Sequence, residues 1–306
     1  MTGFSARWPN ATLNAQAAIL VLLRSDHGQA TAPPKRSSSS SNRTALTGEI
    51  KTKVALIIEY DGTRFSGSQC QPRAATVQSE VESAIEKLTG EKLRVMLSSR
   101  TDTGVSALGQ VASFRTGSTL APERIIGGLN HYLPQDIAIK AAYRIPDDLD
   151  VRRAAVSREY LYRIWNEPER SPLNERFRHR VAPRLDERAM DAAARLLVGT
   201  HDLKAFGSAD KGPERSAVRT VYEASVSRNG AEVTFRIVAN SFLTHQVRNT
   251  VGALIKVGTG DLTVEEFKGL LLINAPGKAG PAVPGKGLCL IKINYRKDLG
   301  DYNENT

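Results

Sequence analysis

Residues Ser98 to Phe114 read SSRTDTGVSALGQVASF and set Arg100 and Asp102 two positions apart, just ahead of Gly104. The run reads as a strand end, a tight turn and a new strand. Gly104 accepts a backbone angle that side chains oppose, so the chain can reverse and leave Asp102 at an exposed apex. A carboxylate there is available for chemistry, yet Asp and Thr are also ordinary turn formers. Spacing alone favours the turn former. A second pair, His201-Asp202, resembles part of a hydrolytic site, but no G-x-S-x-G or comparable nucleophile accompanies it. A structural histidine is the better reading there. With only Cys70 and Cys289, the chain can build neither a thiolate zinc site nor a disulfide framework.

The elements that must carry Asp102 are legible around it. Thr52 to Tyr60 alternates Val54, Leu56, Ile58 and Tyr60 as one strand face, and Asp61-Gly62 turns the chain. Thr76 caps a helix to Leu88 whose stripe is Val77, Val81, Ala84, Ile85 and Leu88, stopped at Gly90. Leu93 to Leu97 reads as the strand leading to the turn, and Gln110 to Arg115 as the strand leaving it. A helix from Pro122 to Leu129 and a strand from Ile137 to Tyr143 follow. Beyond a hinge at Pro146 to Asp150, Arg158, Tyr160, Tyr162 and Ile164 share a strand face. Asp186 caps another helix, and Asn229-Gly230 joins strands 219–228 and 231–239 as a hairpin. Leu243, Val247, Val251 and Leu254 fall on one buried helical face, with Thr244, Arg248 and Gly252 beside them. Thr263-x-x-Glu266 is a capping box opening a further helix.

Composition narrows the class. The 306 residues are 41% hydrophobic, enough for a sizeable core, and no apolar run is long enough to span a membrane. The net charge of +10 points to a polyanionic partner met through phosphate contacts. Residues 1–50 differ from the rest, with Pro33-Pro34, Lys35-Arg36 and the serines Ser37 to Ser41. They read as a disordered tail rather than an organellar transit peptide, which makes the expected location cytoplasmic, with an organelle as the alternative. Ala209 to Arg215 reads as a polar loop, and 299–306 as a polar tail.

The string Arg100-Thr101-Asp102-x-Gly104-Val105-x-Ala107-Leu108-Gly109-Gln110-Val111-Ala112 resembles the signature of tRNA pseudouridine synthases of the TruA family. Four further blocks resemble it: Tyr60-Asp61-Gly62 with Phe65 and Gly67-Ser68-Gln69, Asn130 to Ile137, Arg158 to Ile164, and Ala239 to Gly252. Ala279-Gly280-Pro281 through Gly287-Leu288 matches the closing segment, so the likeness runs over about residues 52 to 296. Departures are Ser68 for Trp, Thr103 for Ala, Ser106 for His, and Gln246 and Thr250 in the Arg248 block.

The resemblance implies an α+β fold of two ferredoxin-like subdomains, 51–147 and 148–298, whose antiparallel sheets join around a central basic cleft. It implies an isomerase that converts uridine to pseudouridine in the tRNA anticodon stem-loop, at positions 38–40, without metal or small-molecule cofactor. Asp102 is then the catalytic carboxylate and Arg100 its ion-pair partner. Arg248 stands beside Asp102, and Tyr160 lies in the active site near the target base. Tyr160, Leu288, Gln110 and Arg158 are the expected substrate-binding residues. A nucleophilic carboxylate suits the reaction, and a nearby arginine favours the charged form of such a group. The implied partners are tRNA and a second copy of the chain. The alternatives are a non-catalytic RNA-binding paralogue, and a pseudouridine synthase for other RNA positions.

Overall fold

The computed structural model describes residues 51–208 and 216–305. The expectations for residues 1–50 and for Ala209 to Arg215 lie outside them. In chain order the elements are β1 (Thr52–Tyr60), α1 (Val77–Thr89), β2 (Met96–Leu97), β3 (Ser106–Thr116), α2 (Pro122–Tyr132) and β4 (Ile137–Ile145). The second half holds β5 (Ala155–Trp165), β6 (His179–Arg180), α3 (Glu187–Arg195), β7 (Gly199–Asp202), β8 (Val218–Asn229) and β9 (Glu232–Ala239). It ends with α4 (Gln246–Thr259), α5 (Val264–Leu270) and β10 (Leu288–Tyr295).

One sheet runs β4-β1-β3-β10-β5-β9-β8-β7, with β2 on β3 and β6 on β5. Within it the same pattern occurs twice. In the first half β1 lies between β4 and β3, with β2 beyond β3; in the second, β5 lies between β10 and β9, with β8 beyond β9. All the pairings within each of these four-strand sets are antiparallel. Each half is thus a ferredoxin-like βαββαβ unit, and the fold is α+β as the sequence predicts. A short parallel pairing of β10 with β3, Cys289 with Ser106 and Leu290 with Ala107, makes the two halves one sheet. That seam sets the start of β10 beside the loop carrying Asp102.

Local chemistry fixes the elements. Val54, Leu56, Ile58 and Tyr60 are buried on β1, as alternation requires. Thr76 accepts the backbone N–H of Ser79 at the start of α1, and Gly90 closes that helix with φ 75°. Asp186 caps α3 through the N–H groups of Arg188 and Ala189. Thr263 and Glu266 complete the capping box of α5. Helix α2 packs on β4, and α3 packs on β8 and against α4 and α5.

Three boundaries differ from the sequence reading. The strand into the Asp102 turn is only Met96–Leu97. Helix α4 starts at Gln246, because His245 takes a left-handed conformation with φ 60° and breaks the helical run from Leu243. Residues Leu299–Asn305 form a 3-10 helix rather than a frayed tail, since Leu299 is buried and Tyr302 packs against the core.

Candidate active site

Asp102 sits in the loop between β2 and β3, and that loop is held on both flanks. Ser68 Oγ accepts the N–H of Thr101 at 2.9 Å, and the Ser68 N–H donates to the Thr101 carbonyl at 3.0 Å. The Thr101 hydroxyl shares a 2.8 Å hydrogen bond with the Tyr60 hydroxyl on β1. Gln110, fully buried on β3, donates to the Ser99 carbonyl at 2.8 Å and accepts the Ser99 N–H at 3.2 Å. On the far side Gly104 has φ 76°, and the Val105 N–H donates to the Asp102 carbonyl at 3.1 Å, closing the turn. Ser106 Oγ then accepts the Gly62 N–H at 3.1 Å. With Thr101 drawn inward, Asp102 faces the open side, its side chain 31% exposed.

The opposite charge comes from α4. Arg248 donates from Nη1 to Asp102 Oδ2 at 2.9 Å and from Nε to the Val283 carbonyl at 2.7 Å. That second bond exists because Gly252, one turn on, lets residues 281–283 lie against the helix. A Cβ there would stand 2.9 Å from the Pro281 carbonyl oxygen. The guanidinium is therefore aimed, with only 16% of the side chain exposed. His245 Nε2 stands 3.6 Å from the same Oδ2. Among the described residues no hydrogen bond falls on Oδ1, so one carboxylate oxygen is clamped and the other is left for a reacting atom.

Tyr160 on β5 supplies the third side. Its hydroxyl shares a 3.1 Å hydrogen bond with Ser99 Oγ, and its ring meets Phe242 edge-on at 5.1 Å. Burial pushes its pKa up to about 12, opposed by the Ser99 bond and reinforced by the charge of Asp102. It is a neutral phenol at physiological pH. Leu288, the first residue of β10, is buried opposite Tyr162. Tyr162 donates to the Pro284 carbonyl at 2.8 Å. Among the described residues no group of three or more His, Cys, Asp or Glu side chains could hold a metal ion.

A loop carboxylate, an arginine delivered by a helix and a strand tyrosine thus meet across the seam of two ferredoxin-like halves. The family model described as tRNA pseudouridine synthase matches residues 56–152 and 193–296, a range that takes in Asp102 and Arg248. The chain belongs to the tRNA pseudouridine synthase family. It is 44% identical over 250 residues to the tRNA pseudouridine synthase A of Roseiflexus sp. (strain RS-1), covering 80% of this chain and 91% of that one. The Acetivibrio thermocellus tRNA pseudouridine synthase A is 40% identical over 79% of this chain and 99% of its own length. That of Geotalea uraniireducens is 38% identical with the same coverage.

Within this tRNA pseudouridine synthase three of the expected site residues make other contacts than the sequence suggests. Arg100 is exposed and forms no ion pair with Asp102, because the cation at the carboxylate is Arg248, pinned by Val283. Gln110 is fully buried, and its amide braces Ser99. Arg158 is 9% exposed and spends its guanidinium on the carbonyls of Ala155, Asn240 and Arg152, tying the start of β5 to the end of β9. His201 lies on β7 with Nε2 against the Val198 carbonyl, as a structural residue does.

The sequence reading missed Ser68, Ser106 and His245. At 68 and 106, where the family carries Trp and His, this chain has buried hydroxyls that take the backbone N–H groups of Thr101 and Gly62. A short polar side chain at an otherwise bulky position is the signal that points to such a role.

Proposed function

We propose that this tRNA pseudouridine synthase isomerises uridines 38 to 40 of the tRNA anticodon stem-loop, with Asp102 as the attacking carboxylate. The observation that carries the reading is the Asp102–Arg248 pair, in which Arg248 fixes one oxygen at 2.9 Å while the other stays unbonded. The unbonded oxygen adds to the uridine, the bond from N1 to the ribose breaks, and the freed base turns. The bond from C5 to the ribose then forms, the C5 proton leaves, N1 gains one, and the carboxylate is expelled. Atoms and electrons balance without an oxidant or reductant.

Reaching Asp102 requires the uridine to leave its stack. Tyr160, a neutral phenol held by Ser99, then meets the base, and Leu288 closes the apolar side. Arg100, exposed and without a partner among the described residues, is free to meet the tRNA backbone, and the net charge of +10 supports phosphate contacts generally. We take 51–147 and 148–298 as the two halves that grip the stem-loop, in a cytoplasmic homodimer. The test is position mapping: unmodified tRNA transcripts incubated with the chain, derivatised with carbodiimide and read by primer extension. Stops at 38–40 support the reading. Stops confined to other positions would transfer the enzyme to a different RNA site.

A further inference from the structure

His245 is an outlier in backbone and in placement. Among described non-glycine residues only Arg73 and His245 have positive φ, and His245, at φ 60° and ψ 1°, interrupts the chain just before α4. A left-handed non-glycine residue costs of order 1 kcal/mol and persists where its surroundings over-determine it. The surroundings do so here. Gln246, 1% exposed, accepts the Leu243 N–H at 2.8 Å through its side chain. Ser208 donates its N–H to the Thr244 carbonyl at 3.1 Å, and Asn249 donates to the His245 carbonyl at 2.9 Å. The turn is bolted on both sides, and it points an imidazole at Asp102.

One ring nitrogen is hydrogen-bonded and the other faces the carboxylate. Nδ1 lies 2.8 Å from Ser208 Oγ, and Nε2 lies 3.6 Å from Asp102 Oδ2, the oxygen that Arg248 also holds. A carboxylate repels a nitrogen lone pair, which selects the form with hydrogen on Nε2. Ser208 fits that form, since its hydroxyl can donate to a bare Nδ1 or accept from a protonated one. In either charge state an N–H faces Asp102.

We propose that His245, oriented by Ser208, is a positioning residue for the carboxylate of this synthase. With Arg248 it holds Oδ2 so that Oδ1 alone attacks, and its N–H stabilises the carboxylate as that group is expelled from the substrate. This rests on the role proposed above for Asp102. The buried Gln246 that helps fix the turn is one of this chain's departures from the family string.

The test uses His245→Gly, because glycine adopts the left-handed turn without strain and only the ring is lost. A cavity of about 400 Å³, lined by Ser208, His245, Asn249, Gly280 and Pro281, opens beside the ring and admits free imidazole. Single-turnover conversion of C5-tritiated tRNA is measured at saturating enzyme, with tRNA affinity measured separately. The expected result is a rate about tenfold lower at unchanged affinity, the size of one lost close electrostatic contact, restored by added imidazole. His245→Asn, which also tolerates the turn and keeps a donor, retains more rate than the glycine variant.

An unchanged rate, a loss matched by loss of affinity or fold, or a loss that imidazole does not restore overturns the proposal. Asp102→Asn run alongside separates the two claims. A silent Asp102→Asn beside an active parent leaves Asp102 standing whatever His245→Gly does, whereas an active Asp102→Asn removes the reading on which this proposal rests.

Discussion

Arg248 Nη1 and Asp102 Oδ2 stand 2.9 Å apart although 146 residues separate them in the chain, and the sheet seam between β3 and β10 brings their elements together. The same guanidinium donates to the Val283 carbonyl, so its position is fixed by two bonds from one planar fork. Arg248→Lys keeps a charge but cannot make both bonds in that geometry. We expect turnover to fall about a hundredfold or more in Arg248→Ala, with weaker tRNA binding, and Arg248→Lys to recover little of it. Steady-state kinetics with tRNA transcripts decide this, and a lysine variant at parental rate would show that charge alone suffices.

Ser68 gives the second prediction. Its hydroxyl accepts the Thr101 N–H at 2.9 Å in fully buried surroundings. Ser68→Ala leaves that N–H unpaired, at a cost of roughly 1–3 kcal/mol. The damage falls on the backbone next to Asp102, so kcat should drop while the tRNA dissociation constant holds. Thermal melts and kinetics on the same preparation check both parts.

Two glycines predict opposite outcomes. A Cβ on Gly285 would lie 2.4 Å from the Thr103 carbonyl oxygen, so Gly285→Ala must push the Asp102 loop or the start of β10. Gly127 in α2 has open space around its Cβ position, and there alanine should stabilise by about 0.5–1 kcal/mol. Gly285→Ala should lose activity and melt earlier, and Gly127→Ala should melt later at full activity.

Much of this was legible in sequence, for identifiable reasons. The β1 alternation, the Thr76 and Thr263 caps and the Asn229-Gly230 hairpin are local, and each appears where its own residues dictate. The four-residue spacing of Leu243, Val247 and Val251 misled for the opposite reason. The helix begins only at Gln246, because the Gln246 side chain's bond to the Leu243 N–H and a tertiary bond from Ser208 hold His245 in the left-handed region. Arg100 shows the same limit. Two residues of separation says nothing about which way a side chain leaves a turn, and Asp102 found its cation on a distant helix. Motif membership also does not reveal that Gln110 braces the loop through Ser99, which takes the folded structure to see.

Burial raises the pKa values of Tyr60, Tyr160, Tyr162 and Tyr295 above the ordinary 10.0, with Tyr160 and Tyr295 at about 12. Below pH 10 these phenols are protonated in both folded and unfolded chains and add no pH dependence. Above it the unfolded chain releases their protons first, so stability falls as pH rises towards 12. Guanidinium midpoints should therefore decline above pH 10, and the phenolate absorbance of these four should emerge together with unfolding. Their ionisation in a still-folded protein at pH 10 would contradict the burial argument.

The most direct measurement is tritium release from C5-labelled uridine in unmodified tRNA, comparing the parent chain with Asp102→Asn. Asparagine keeps the size and the hydrogen-bonding shape of the side chain but not its nucleophilic charge. The account predicts steady release by the parent, none by the variant, and tRNA binding by both. Release by the variant at a comparable rate would contradict the assignment of Asp102 as the attacking group.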